Sequence, residues 1–97
     1  MTTTSFTSMW KFPIGIDDLD SRDRLEIALP AGAEILHVAP QGTARHLEFW
    51  ARVAPGADLE RRTLRVAGTG HSLSEDERYI GTSHSGFLVW HLFEVLK

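Results

Sequence analysis

Apolar and polar residues alternate with a period of two along most of this chain. The alternation is cleanest over Arg45–Val53, where Leu47, Phe49, Ala51 and Val53 share one face and His46, Glu48, Trp50 and Arg52 share the other. That is the pattern of a strand with one buried face. Arg24–Leu29 repeats it, with Leu25, Ile27 and Leu29 opposite Glu26 and Ala28, and Glu34–Ala39 is the next strand. Leu59–Ala67 returns with Leu64 and Val66 inward. Met9–Phe12 is a short aromatic strand that Pro13 is expected to stop, and Tyr79–Thr82 is another short one. Phe87–Val95 is apolar on both faces, Phe87, Val89 and Phe93 on one and Leu88, Trp90 and Leu92 on the other. Such a strand belongs in the middle of a sheet or between layers.

Turn residues punctuate these runs. Pro30-Ala31-Gly32-Ala33, Gln41-Gly42 and Pro55-Gly56-Ala57-Asp58 separate neighbouring strands, residues 14–22 form a loop with an acidic cluster, and Ser83–Gly86 is a polar break. The spacing predicts an all-β, mainly antiparallel domain. Its expected form is a six- to seven-stranded meander making a small sandwich or barrel. At most one short helical turn is expected, near residues 74–78, where Ser74 and Glu77 have the spacing of a capping box. Residues 1–8, polar and threonine-rich, read as a flexible N-terminal tail, and residues 9–97 as a single β domain.

Pairing Arg45–Val53 with Leu59–Ala67 as a hairpin sets Phe49 against Leu64, Leu47 against Val66 and Glu48 against Arg65. The same register puts Arg52 opposite Arg61, which is unfavourable unless an anion or a carboxylate lies between them.

Composition narrows the chemistry. With 97 residues, 42% of them apolar, the chain is the size of one ordinary domain. It contains no cysteine, so a disulfide framework or thiolate metal site is ruled out. A net charge of −3 argues against general nucleic-acid binding, which needs a basic field. No apolar run approaches the roughly 20 residues of a membrane span, and the N-terminus does not have the pattern of a signal peptide. The charges are uneven. Arg45, Arg52, Arg61, Arg62 and Arg65 fall in the middle, between the acidic loops of Asp17, Asp18, Asp20 and of Glu75, Asp76, Glu77. They read either as solvated faces or as a local basic patch.

Gly68-Thr69-Gly70-His71 is the leading candidate for a ligand loop. Two glycines let the backbone turn sharply and present consecutive N–H groups to an anion, Thr69 adds a hydroxyl, and His71 adds an imidazole. The bland alternative is that the glycines only end a strand. The central arginines Arg52, Arg61 and Arg65 complete the candidate ligand-binding set. The histidines at 37, 46, 71, 84 and 91 lack the spacing of a helical metal motif. A two-residue turn at Gln41-Gly42 would set His37 opposite His46, but two ligands do not make a zinc site. His91, inside an apolar strand, reads as a hydrogen-bonded core histidine. Trp50 sits on an otherwise polar face, so it is either covered by the N-terminal segment or is an interface anchor. No signature links a serine or threonine to a base. No catalytic residue, cofactor or metal is expected.

Trp10-Lys11-Phe12-Pro13, Pro30-Ala31-Gly32-Ala33-Glu34-Ile35-Leu36, Gly68-Thr69-Gly70-His71, Tyr79-Ile80-Gly81-Thr82 and His91-Leu92-Phe93-Glu94 occur in this order. Together they resemble an uncharacterised family of small proteins encoded by tailed phages and prophages. The resemblance covers about residues 9–94. It departs from the family's pattern in a longer polar N-terminus and in Ser72, where proline is usual after the histidine. It implies a small phage accessory protein in the host bacterial cytoplasm. The expectation is a non-enzymatic homo-oligomer that counters host antiviral defence by sequestering an anionic nucleotide signal. The alternatives are an inhibitor that caps a host defence protein through an aromatic or basic surface, and a minor virion component.

Overall fold

A computed structural model of the chain describes residues 7–73, 76–85 and 87–96. Among them are seven strands: β1 (Ser8–Gly15), β2 (Arg24–Pro30), β3 (Glu34–Gln41), β4 (Thr43–Val53), β5 (Leu59–Gly68), β6 (Glu77–Ser85) and β7 (Leu88–Val95). They form two antiparallel sheets, ordered β1-β4-β3 and β2-β5-β7-β6. The two layers pack as a small sandwich, which agrees with the expected all-β class.

Sequence periodicity fixes the inward faces. Leu47, Phe49, Ala51 and Val53 of β4 are fully buried and meet Leu29, Leu64, Val66 and Leu92 of the opposite sheet in one core. Phe12 of β1 stacks on Phe49 with ring centroids 5.0 Å apart. β3 keeps both Ile35 and Val38 inward because a bulge at Leu36 shifts the register between them, and the bulge leaves Leu36 exposed.

Neighbours in the sheets differ from the hairpin read in the sequence. β4 and β5 do not pair: β4 lies between β1 and β3, and β5 lies between β2 and β7. Alternation satisfies both arrangements, because two apolar faces can meet across a core as well as side by side in one sheet. Residues 54–58 therefore cross from one layer to the other, tied by Ala31 N–H to Asp58 O at 2.7 Å. The expected Arg52–Arg61 juxtaposition does not occur. The expected His37–His46 pair does not form either. The turn after β3 is bulged at Pro40/Gln41, which sets His37 opposite Trp50, while His46 pairs with Gly15 of β1.

Three boundaries also move. Pro13 does not stop β1, because β1 is an edge strand and a proline there breaks no ladder. Among the described residues the helical turn lies at Ile16–Asp18. Ser74 and Glu75 lie outside the described residues, and Glu77 begins β6 opposite Val95. β6 continues through Ser83 and His84, which had read as a break. Of the segment read as a tail, Thr7 donates its N–H to Val53 O at 3.1 Å and Ser8 belongs to β1; residues 1–6 lie outside the described residues.

β7 takes the central place expected for it, with Leu92, Phe93 and Val95 buried, although Phe87, before its start, is fully exposed. It also carries a buried charge. The Glu94 side chain, 6% exposed, points between the sheets and accepts hydrogen bonds from Arg62 Nε, from Arg62 Nη2 at 3.0 Å and from Arg78 Nη2 at 2.9 Å. Arg62 donates onward to Ala33 O at 2.9 Å. Burial alone would raise the Glu94 carboxyl. Hydrogen bonds from Arg62 and then Arg78 outweigh it and hold the group below the ordinary carboxylate range. On the far side, the edges of β3 and β6 approach closely, and a Cβ on Gly81 would come 3.0 Å from Val38 Cγ1.

Gly81→Val is therefore expected to destabilise the domain by about 1–3 kcal/mol through overpacking, read as a lower urea midpoint. Glu94→Gln removes the carboxylate partner of a buried guanidinium and is expected to cost about 3 kcal/mol. Arg61→Ala, breaking a bridge whose arginine is 84% exposed, should fall within about 1 kcal/mol of the parent. Because the Glu94 pKa is depressed on folding, its contribution is complete above the unfolded carboxylate range and disappears as pH falls through the folded value. Acid unfolding of Glu94→Gln should consequently be shallower than that of the parent, as followed by tryptophan fluorescence.

Candidate functional site

Gly68–His71 is a type II β-turn. His71 N–H donates to Gly68 O at 3.1 Å, and Gly70 has a φ of 93°, which this turn requires of its third residue. Two of its polar groups are engaged internally. Gly68 N–H donates to His71 Nδ1 at 3.1 Å, which leaves the neutral ring's proton on Nε2. Thr69 Oγ1 sits 2.9 Å from His91 Nε2. His91 Nδ1 lies 2.9 Å from Thr82 Oγ1, and Thr82 Oγ1 meets the Tyr79 hydroxyl. His91 is thus hydrogen-bonded through both nitrogens, and it links the turn to β6 across β7.

The structure does not gather the three expected arginines around this turn. Arg52 lies on the other sheet and grips Glu34 with bonds of 3.0 and 2.9 Å. Arg61 lies farther down β5, bound to Glu26 at 3.1 Å. Arg65 remains near the turn, on the outer face of β5, and reaches across β7 to Glu77 at 2.9 and 3.2 Å. The Glu77 side chain is 2% exposed, so this pair is shielded. Arg45 pairs with Asp17 and holds that carboxyl below its ordinary range. Trp50, the candidate interface residue, is half-buried on the outer face of the three-stranded sheet, its ring 5.6 Å from that of His37. The exposed aromatic and apolar residues of that region are instead Met9 and Trp10 on the β1 edge.

Two arginines that the sequence reading passed over stand beside Arg65. Arg24 is directly opposite Arg65 in the β2–β5 ladder. Arg22 is on the preceding turn. Neither guanidinium makes a hydrogen bond or ion pair among the described residues. Asp20 builds the turn that presents them. Its Oδ1 accepts the N–H of Arg22 at 2.8 Å and that of Arg24 at 3.0 Å, and these bonds, that from Arg24 foremost, hold its carboxyl below the ordinary value. Asp23 takes a left-handed φ of 61° and its carbonyl accepts Val66 N–H at 3.0 Å, which fastens the turn to β5. Asp20-Ser21-Arg22-Asp23 has the composition of such a turn, so this much was readable; that it stands against Arg65 was not.

Arg22, Arg24 and Arg65 line a groove of about 380 Å³ together with Asp23, Ser72, Leu73 and Glu77. It opens immediately after the Gly68–His71 turn. Two like charges directly opposite on paired strands are destabilising; Glu77 binds Arg65, and the Asp20 carboxylate interacts electrostatically with Arg24 and Arg22. An anion in this groove would meet the forks of Arg22 and Arg24, which suit carboxylate or phosphate oxygens.

The chain belongs to a family described as a domain of unknown function (DUF7352), whose model matches residues 6–97. No match was found among curated proteins or among solved structures. Among the described residues, no group of three or more histidine or acidic side chains could hold a metal ion, and no helix is long and apolar enough to cross a membrane.

His91→Phe removes the acceptor and donor that serve Thr69 and Thr82. It is expected to lower stability by about 1–2 kcal/mol and to speed amide exchange at Thr69 and Gly70 relative to the β4 core, measurable by hydrogen–deuterium exchange.

Proposed function

We propose that this member of the DUF7352 family is a stoichiometric binding protein, and that the groove of Arg22, Arg24 and Arg65 holds a small anionic ligand of the nucleotide class. One observation carries the reading: Arg24 and Arg65 face each other across a ladder, with Arg22 beside them, on a turn fixed by Asp20. The backbone that presents Arg22 and Arg24 is held by Asp20, so little loop ordering remains to be lost when an anion binds. The turn at Gly68–His71 borders the site and adds Ser72 from its far side. The expected role of Arg65 is retained, while Arg52 and Arg61 give way to Arg22 and Arg24.

The resemblance to small phage proteins supplies the setting we propose: sequestration of a nucleotide signal of host defence in the bacterial cytoplasm, without turnover of the ligand. The outer edges of β1 and β2 end the two sheets, and self-association through one of them accounts for the homo-oligomer we expect. A second reading has a host protein docked on the β1 edge beside Trp50, and the exposure of Met9 and Trp10 favours it.

A panel of cyclic, linear and ADP-ribose-type nucleotides at about millimolar concentration should raise the melting temperature of the parent by several degrees for at least one ligand, since a ligand at 100 times its Kd adds about 2.7 kcal/mol. Arg24→Ala should abolish that shift while Arg52→Ala keeps it. The bound ligand should be recovered intact on denaturation. No shift with any nucleotide, or an equal shift in Arg24→Ala, would exclude the groove.

A further inference from the structure

Arg22 and Arg24 do not border one groove only. On their other side lies a second, of about 400 Å³, which they share with Asp20, Ser21, Glu26 and Thr63. The two hollows differ in chemistry. The first offers three arginines against two carboxylates, Asp23 and Glu77, and Glu77 is bound by Arg65. The second offers acceptors. Asp20 uses Oδ1 for the two turn amides, which leaves Oδ2, and Glu26 uses Oε2 for Arg61, which leaves Oε1. Ser21 and Thr63 add hydroxyls at its rim.

A phosphate suits the first hollow, where three arginines outnumber two carboxylates, better than the second, where two carboxylates match two arginines. A vicinal diol suits the second, because each hydroxyl can donate to a carboxylate oxygen and accept from a serine or threonine hydroxyl. Arg24, half-buried between them, can hold an oxygen on either side. Among the described residues neither hollow is lined by an aromatic ring, so none of them offers a stacking surface for a base. We infer that the two hollows form one site astride Arg24 that recognises a ribose phosphate, the phosphate on the Arg65 side and the sugar diol on the Asp20–Glu26 side. This deepens the anionic-nucleotide reading and rests on it. It makes the sugar, not the base, the part of the ligand that is read.

Isothermal titration with ribose phosphate, deoxyribose phosphate and inorganic phosphate tests it on the full-length protein. Ribose phosphate should bind about tenfold tighter than either of the others, the loss expected when a built hydrogen-bonding site meets a ligand lacking its hydroxyl. Glu26→Gln alters the acceptor pattern on the diol side and should shrink that preference to about twofold or less, with phosphate affinity unchanged. Arg24→Ala should weaken all the compounds together, with its melting curve checked to show that it is folded. Equal binding of ribose and deoxyribose phosphate would overturn the diol site and leave the anion groove standing. A preference that survives in Glu26→Gln would overturn it as well. Failure of all three compounds, and of the nucleotides, to bind the parent would overturn both readings.

Discussion

A carboxylate inside an apolar sandwich is the constraint on which the rest of this structure depends. Glu94 lies on the inner face of the central strand of the larger sheet, where an isolated charge would be expelled or neutralised. It stays charged because Arg62 from β5 and Arg78 from β6 converge on it. Three neighbouring strands are thereby fixed in register at one end. Through Ala33, Arg62 also fixes the turn that carries the chain from the larger sheet to the smaller. A hydrophobic triad of equal volume could hold the same strands as firmly. The ionic one demands a single arrangement, since any slip leaves a buried charge unpaired.

The same discipline runs over the outer surface. Lys11 meets Glu48, Arg45 meets Asp17, Arg52 meets Glu34, Arg61 meets Glu26 and Arg65 meets Glu77. The exposed bridges among these, such as Arg61–Glu26 and Arg45–Asp17, add little stability. Their consequence is electrostatic, because they erase the basic patch that the sequence suggests. Against that background Arg22 and Arg24 stand out, because among the described residues their guanidiniums make no hydrogen bond or ion pair and only the nearby Asp20 carboxylate offsets their charge.

Much of the fold was legible. The faces of β4, β2 and β5 followed from alternation, because burying one face of a strand constrains every second residue. The central position of β7 followed from its apolar content on both sides. The bulges at Leu36 and Ile80 were not legible. A bulge inserts one residue without altering composition; the irregular turn at Pro40/Gln41, equally silent in the sequence, moved His37 from opposite His46 to opposite Trp50. The candidate site was half legible. The Gly68–His71 turn and Arg65 were found because glycines and a cation leave a local signature. Arg24 was not, because its meaning lies in the residue it faces.

The sequence by itself determined which residues point inward, where the chain turns and that the domain is built of strands, since these depend on interactions within a few residues. Only the tertiary structure decided which strand lies beside which. β4 and β5 carry apolar faces that would match equally well as a hairpin or across a core. The choice went to the arrangement that could also enclose Glu94 between two arginines. That choice paired Arg52 with Glu34 and set Arg24 against Arg65, beside a groove whose described lining holds three arginines and two carboxylates. Charges near in space but remote in the chain leave no periodic trace, so their pairing is a property of the packed molecule alone.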